Sequence, residues 1–143
     1  MCKAGDLILV NNYQHGDQSL GRHTFVVIND EGGNIQGLDY ELICNVMSSF
    51  KNSNQRQKKL AYEGNFEICH DDKDMLTGNS KDGFIKAEQL YFFSEESIEY
   101  TVIGNIKPEI FEQLIEFINK LNIDLELIID NLQEKNSSKW IIV

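Results

Sequence analysis

No stretch of this 143-residue chain approaches eighteen consecutive apolar residues, which excludes a membrane-spanning helix as the basis of its function. The opening residues Met1-Cys2-Lys3-Ala4-Gly5-Asp6 turn polar before an apolar segment can develop, so no secretory leader is expected and the chain reads as cytoplasmic. Cysteine is scarce and odd in number. Cys2, Cys44 and Cys69 fall at irregular spacing, which suits reduced thiols better than a disulfide framework. No internal repeat, low-complexity tract or linker interrupts the sequence, and 41% hydrophobic residues suffice for one core. A single domain over residues 1–143 is expected.

Positive charge is also scarce. Thirteen bases face 23 acids, a net charge of −10, and a phosphate backbone draws its affinity from Lys and Arg. The acidity is unevenly spread. Residues 1–60 carry six acids and six bases, residues 61–87 six and three, and residues 88–143 eleven and four, leaving 0, −3 and −7 along the chain. Lys51, Arg56, Lys58 and Lys59 form the one basic cluster, with no acid among them.

Several short apolar runs bounded by turn residues read as strands: 6–11, 22–29, 41–48, 66–69, 83–93 and 98–106. The polar stretches 13–21 and 49–64 read as loops, the second long and exposed. Short strands in succession with no helix between them point to an antiparallel barrel or sandwich. Helices close the chain. Pro108 suits a first helical position, Glu109 and Glu112 the first turn and Lys120 the last, with Ile110, Leu114, Ile118 and Leu121 on one face. A second helix is expected from Asp124, as N-cap, through Leu125, Ile128, Ile129 and Leu132. The domain therefore divides into a β-barrel over 5–106 and helices over 108–134. The tail Lys139-Trp140-Ile141-Ile142-Val143 is apolar enough to dock, as a strand or otherwise.

The order of these segments resembles a known family. Gly5-Asp6-Leu7-Ile8, then Gly21-Arg22-His23-Thr24-Phe25-Val26-Val27-Ile28, is similar to the opening of MazF/PemK-type toxins, where a Gly-Asp-aliphatic strand precedes a polar loop and an Arg-Pro-aliphatic strand. Ile43 to Ser48, Phe66-Glu67-Ile68, Gly83 to Leu90 and Ile103-Gly104-Asn105-Ile106 before the Pro108 helix keep the family's order over residues 5–121. Here His23 stands where the family has proline. The resemblance implies a mainly β fold, a closed SH3-like barrel with C-terminal helices. It also implies a homodimer, metal-independent cleavage of single-stranded RNA without a cofactor, and an antitoxin partner.

Cutting RNA without a metal requires a deprotonated 2′-hydroxyl, stabilisation of the phosphorane's charge and protonation of the departing 5′-oxygen. The resemblance gives Arg22 the second task, which a permanently charged, forked guanidinium suits; a plain surface arginine is the alternative. Ser48 corresponds to the family's catalytic Thr/Ser position, with Ser49 as its rival, because neighbouring strand residues point to opposite faces. His15 and His23 are the acid–base candidates, and His15 is the better placed by resemblance. Lys51, Arg56, Lys58 and Lys59 suit phosphate contacts, and Tyr13 is the nearest ring for stacking a base.

Cys69-His70-Asp71-Asp72 with Asp74 matches no zinc spacing and reads as a strand end entering an acidic turn. Gly16 and Gly21 lack the Gly-Lys-Ser/Thr of a phosphate loop. An alternative function is a non-catalytic SH3-like module binding a peptide or nucleic acid, and a third is a structural component of a larger assembly.

Overall fold

The computed structural model describes residues 1–15, 18–78 and 80–132, with the side chains of all of these except 14, 15 and 18–20. The tail 139–143, expected to dock, lies outside the described residues. Strand β1 (Asp6–His15) and strand β2 (Gln18–Asn29) form a long antiparallel hairpin, from Leu7 opposite Val26 to His15 opposite Gln18. The expected loop over 13–21 is thus largely hairpin arm. Gly21, at φ +75°, takes a backbone conformation that L side chains avoid. It sits opposite Tyr13 where the register shifts, so the ribbon bends and continues instead of ending.

Most of the other strands are antiparallel too. β3 (Gly33–Ile35) and β4 (Leu38–Tyr40) make a separate small hairpin. β5 (Leu42–Ser49), β6 (Asn65–Ile68), β7 (Lys73–Met75), β8 (Gly83–Lys86), β9 (Gln89–Phe93), β10 (Tyr100–Ile106) and β11 (Glu126–Ile128) join β1 and β2 in a nine-stranded sheet. Its main path runs β11-β9-β5-β2-β1-β10-β7, with β8 and β6 continuing beside the end of β5. The sheet curls into a half-barrel. Full closure was expected, but no ladder joins β7 to β6 among the described residues.

The curl depends on β5 changing partners. It pairs with β9 through Leu42–Cys44 and with β8 through Met47–Ser49. Carbonyls that leave the ladder between β8 and β9 need donors. Asn45, fully buried, supplies them: its Nδ2 donates to Gln89 O at 2.8 Å and to Lys86 O and Ala87 O at 3.4 Å. Asn45→Ala is expected to cost about 1–3 kcal/mol by leaving these acceptors unpaired in the core, a loss readable as a lower denaturant midpoint.

Both faces of the sheet are covered. On the inner face Ile8, Val10, Phe25, Val27, Cys44, Val46, Tyr91 and Phe93 form one core. On the outer face Leu7, Val26, Ile68, Ile85 and Ile106 pack under Leu114 of α2 (Pro108–Asn119). That helix follows its sequence signals, with Pro108 in the first turn and Ile110 and Ile118 flanking the fully buried Leu114. The second expected helix is corrected: Glu126–Ile128 is a strand, parallel to β9 with Leu127 opposite Leu90, and a helical turn begins only at 130–132. A short apolar run suits either state, and the open edge of β9 decides it by offering backbone partners. The long loop over 49–64 is corrected as well. α1 (Ser53–Ala61) occupies most of it, started by Asn52, whose side chain accepts from Gln55 N–H at 2.8 Å. No residue of α1 is buried, so it lacks the apolar stripe by which a helix is read from sequence.

Candidate nucleic-acid interface

Strand alternation sorts the expected site residues onto two faces. In β2, Phe25 and Val27 point to the inner core and Val26 to the outer. In β5, Cys44 and Val46 point inward and Met47 outward, and Thr24 pairs with Met47. Two residues beyond that pair, exposed Arg22 and exposed Ser49 share the outer side. His23 and Ser48 share the inner one. Arg22 and Ser48, which the resemblance assigned to one catalytic site, are therefore on opposite faces, and Ser49, the rival of Ser48, is the hydroxyl on Arg22's side. His15 ends β1, and its side chain lies outside the described ones.

Tyr13 is corrected as a base-stacking ring. It is 4% exposed, with ring centroids 5.4 Å from Phe25 and 5.8 Å from Tyr91, so it belongs to the inner core. Burial pushes its hydroxyl above the usual tyrosine range, and that of Tyr91 further still. The His23 ring rests 5.1 Å from Tyr13, and its Nδ1 is buried without a hydrogen-bond partner among the described residues. The thiols are protonated near neutral pH. Desolvation pushes Cys2 up to about 11 and raises Cys44 and Cys69.

The basic cluster lies just beyond Ser49. Phe50 N–H donates to Asp82 O at 3.3 Å, extending the pairing of β5 with β8 by one residue. Gly83 permits this approach, since a Cβ there would meet Ser48 O at 2.1 Å. Residues 80–82 are thereby held beside 50–53. Between them is a cleft of about 500 Å³ lined by Phe50, Lys51, Asn52, Ser53, Arg56, His70, Ser80, Lys81 and Asp82. Arg56 is bonded to Glu67 of β6 and lies 5.9 Å from the Phe50 ring centre. Lys59 Nζ lies 5.8 Å from the Phe84 ring centre, and Phe50 and Phe84 stack at 5.4 Å. Lys51, Arg56 and Lys81 against the single carboxylate of Asp82 give the cleft a positive lining in an acidic chain.

Sequence reading gave no functional role to His70 or Lys81. Cys69 to Asp72 is a strand end entering a 3-10 turn (His70–Asp72), in which Asp72 accepts from Cys69 N–H at 2.8 Å. His70 then turns to residues far along the chain. Asp82 Oδ1 accepts from its backbone N–H at 2.8 Å and lies 3.0 Å from its Nδ1, while Asp71 Oδ1 lies 3.2 Å from Nε2. The only sequence signal was an imidazole beside acids. The bond to Asp82 first, then the charges of Asp71 and Asp82, raise His70 above its ordinary 6.5. Bonding to His70 in turn lowers Asp82.

A raised imidazole contributes stability that is fully present below its unfolded value and is lost as pH rises through its folded value. The lowered carboxylate contributes above its own unfolded value and loses this as pH falls through the folded one. The pair therefore holds between the lowered Asp82 value and the raised His70 value. Asp82→Asn is expected to return the His70 midpoint toward 6.5, read from its ring-proton NMR shifts against pH; an unchanged midpoint would show that Asp82 does not set it.

No model of a known protein family matches the chain, and no curated protein matches it.

Proposed function

We propose that this chain is an SH3-like barrel of the MazF/PemK type and acts as the toxin of a toxin–antitoxin pair, a metal-independent endoribonuclease on single-stranded RNA. The observation that carries the reading is the positive cleft and α1, into which the chain runs directly from the end of β5, where exposed Arg22 and Ser49 share one face and Phe50, stacked on Phe84, turns to the other. RNA crossing the rim at the end of β5 would meet a charge-stabilising guanidinium and a hydroxyl donor on one side and the cations on the other. The 2′-oxygen attacks phosphorus, the bond from phosphorus to the 5′-oxygen breaks, and the proton removed from the 2′-hydroxyl is balanced by one given to the 5′-oxygen. His15, at the end of β1, is the acid–base candidate. The test is a mixed-sequence single-stranded RNA with the purified chain in EDTA: cleavage is expected, and intact RNA would remove the enzyme reading.

The inward turn of Ser48 and the burial of Tyr13 favour a second reading, a barrel of the same type that binds nucleic acid without cutting it. Binding separates from chemistry by its salt dependence. The slope of log affinity against log salt is expected at about −0.7 per phosphate contacted. Lys58→Ala with Lys59→Ala should make it shallower by roughly two such contacts and weaken all RNA sequences alike. We further propose a homodimer and an antitoxin as partners; a monomer in light scattering at micromolar concentration would count against the dimer.

A further inference from the structure

We infer that the cleft between residues 50–56 and 80–82 is a binding site for the terminal phosphate monoester of a nucleotide, with Lys51, Lys81 and His70 around the phosphate and Phe50 beside the base. A volume of about 500 Å³ suits a small ligand, and its chemistry is that of a multiply charged anion. Lys51 and Lys81 line it with no carboxylate partner among the described residues. Arg56, though bonded to Glu67, adds a third cation at the wall. The carboxylate in the lining, Asp82, is occupied by the backbone and ring of His70.

The groups facing the imidazole are Asp82 and Asp71, with Lys73 close enough to oppose its protonation. Lys73 Nζ is itself turned onto Lys81 O. Glu67, across the cleft wall, is neutralised by Arg56. An incoming dianion would therefore meet the two unpaired ammonium groups, with the imidazole, whose two nitrogens already face Asp82 and Asp71, adding positive charge beside them and no free N–H. Phe50 is half-buried and lines the same space, which places an aromatic surface within a nucleotide's length of the cations.

This deepens the RNA reading and rests on it for the choice of a nucleotide, yet it is tested without cleavage. The probes are inorganic phosphate, uridine 5′-monophosphate and uridine, added to the full chain while the His70 ring protons are followed by NMR. Phosphate and the monophosphate are expected to raise the His70 midpoint by about one pH unit, with dissociation constants on the order of 1 mM. The monophosphate should act at lower concentration than phosphate, and uridine should leave the midpoint unchanged. Lys51→Ala combined with Lys81→Ala should remove the response while the remaining spectrum stays dispersed.

No midpoint change with either anion, or an undiminished response in the double variant, would overturn the site. Equal potency of phosphate and the monophosphate would overturn the nucleotide assignment. RNA cleavage without a His70 response removes this cleft and keeps the enzyme, whereas a response without cleavage does the reverse.

Discussion

Arg22→Ala is expected to lower the rate of RNA cleavage by a factor of about 10²–10³ or more while leaving the fold intact. Removing one preorganised donor to a developing oxyanion costs on this order, and a guanidinium gives two such bonds and a full charge. Arg22 is exposed and contributes to none of the apolar cores, so its truncation leaves the packing untouched. Single-turnover cleavage in EDTA, with far-ultraviolet circular dichroism as the folding control, is the measurement. Ser49→Ala should lower the rate and Ser48→Ala should not, because alternation places only Ser49 on the arginine's side. The reverse order would return the hydroxyl role to Ser48 and remove the face argument. Arg22→Lys is expected to retain little of the activity, since an ammonium cannot fork onto two phosphate oxygens.

Phe25→Ala is expected to destabilise the protein by about 3–5 kcal/mol, the usual cost of emptying a buried aromatic position. Phe25 is fully buried, and three rings meet it edge-on: Tyr13 at 5.4 Å and Tyr91 and Phe93 at 5.1 Å. These contacts tie β1, β2 and β9 together, so the loss is felt across the sheet's curl. A domain holds only about 5–15 kcal/mol in all, and this change would consume much of it. Phe25→Leu keeps most of the volume and should cost about 1.5 kcal/mol or less. It provides a folded variant against which chemical denaturation of Phe25→Ala is read. A loss under about 1 kcal/mol for the alanine variant would mean that the aromatic cluster does not hold the inner core.

The cleft was illegible in the sequence for a physical reason. Its lining comes from three segments, 50–56, 70 and 80–82, that pairing of β5 with β8 and the turn after β6 bring together. The basic cluster was visible as a run of charges, but its helix was not. A helix with no buried face carries no hydrophobic period, and α1 rests instead on Asn52 as cap, on Arg56 with Glu67 and on the rings of Phe50 and Phe84.

What the sequence determined alone is whatever a residue's own chemistry enforces over a few neighbours. Apolar runs such as Leu7–Val10 and Phe25–Val27 must be buried and are β-rich, so the strands and the mainly β class were readable. Pro108, the early acids and the spacing of Ile110, Leu114 and Ile118 specified α2. Tertiary structure decided the rest. Whether Glu126–Ile128 became strand or helix depended on the free edge of β9, which lies far away in sequence. Which of Ser48 and Ser49 accompanies Arg22 depended on register, because with a side-chain period of two a shift of one residue exchanges the faces. Whether His70 stood alone or beside Asp82 depended on a turn closing across twelve residues. Each was a competition between near-equal local states, settled by partners that only the folded chain supplies.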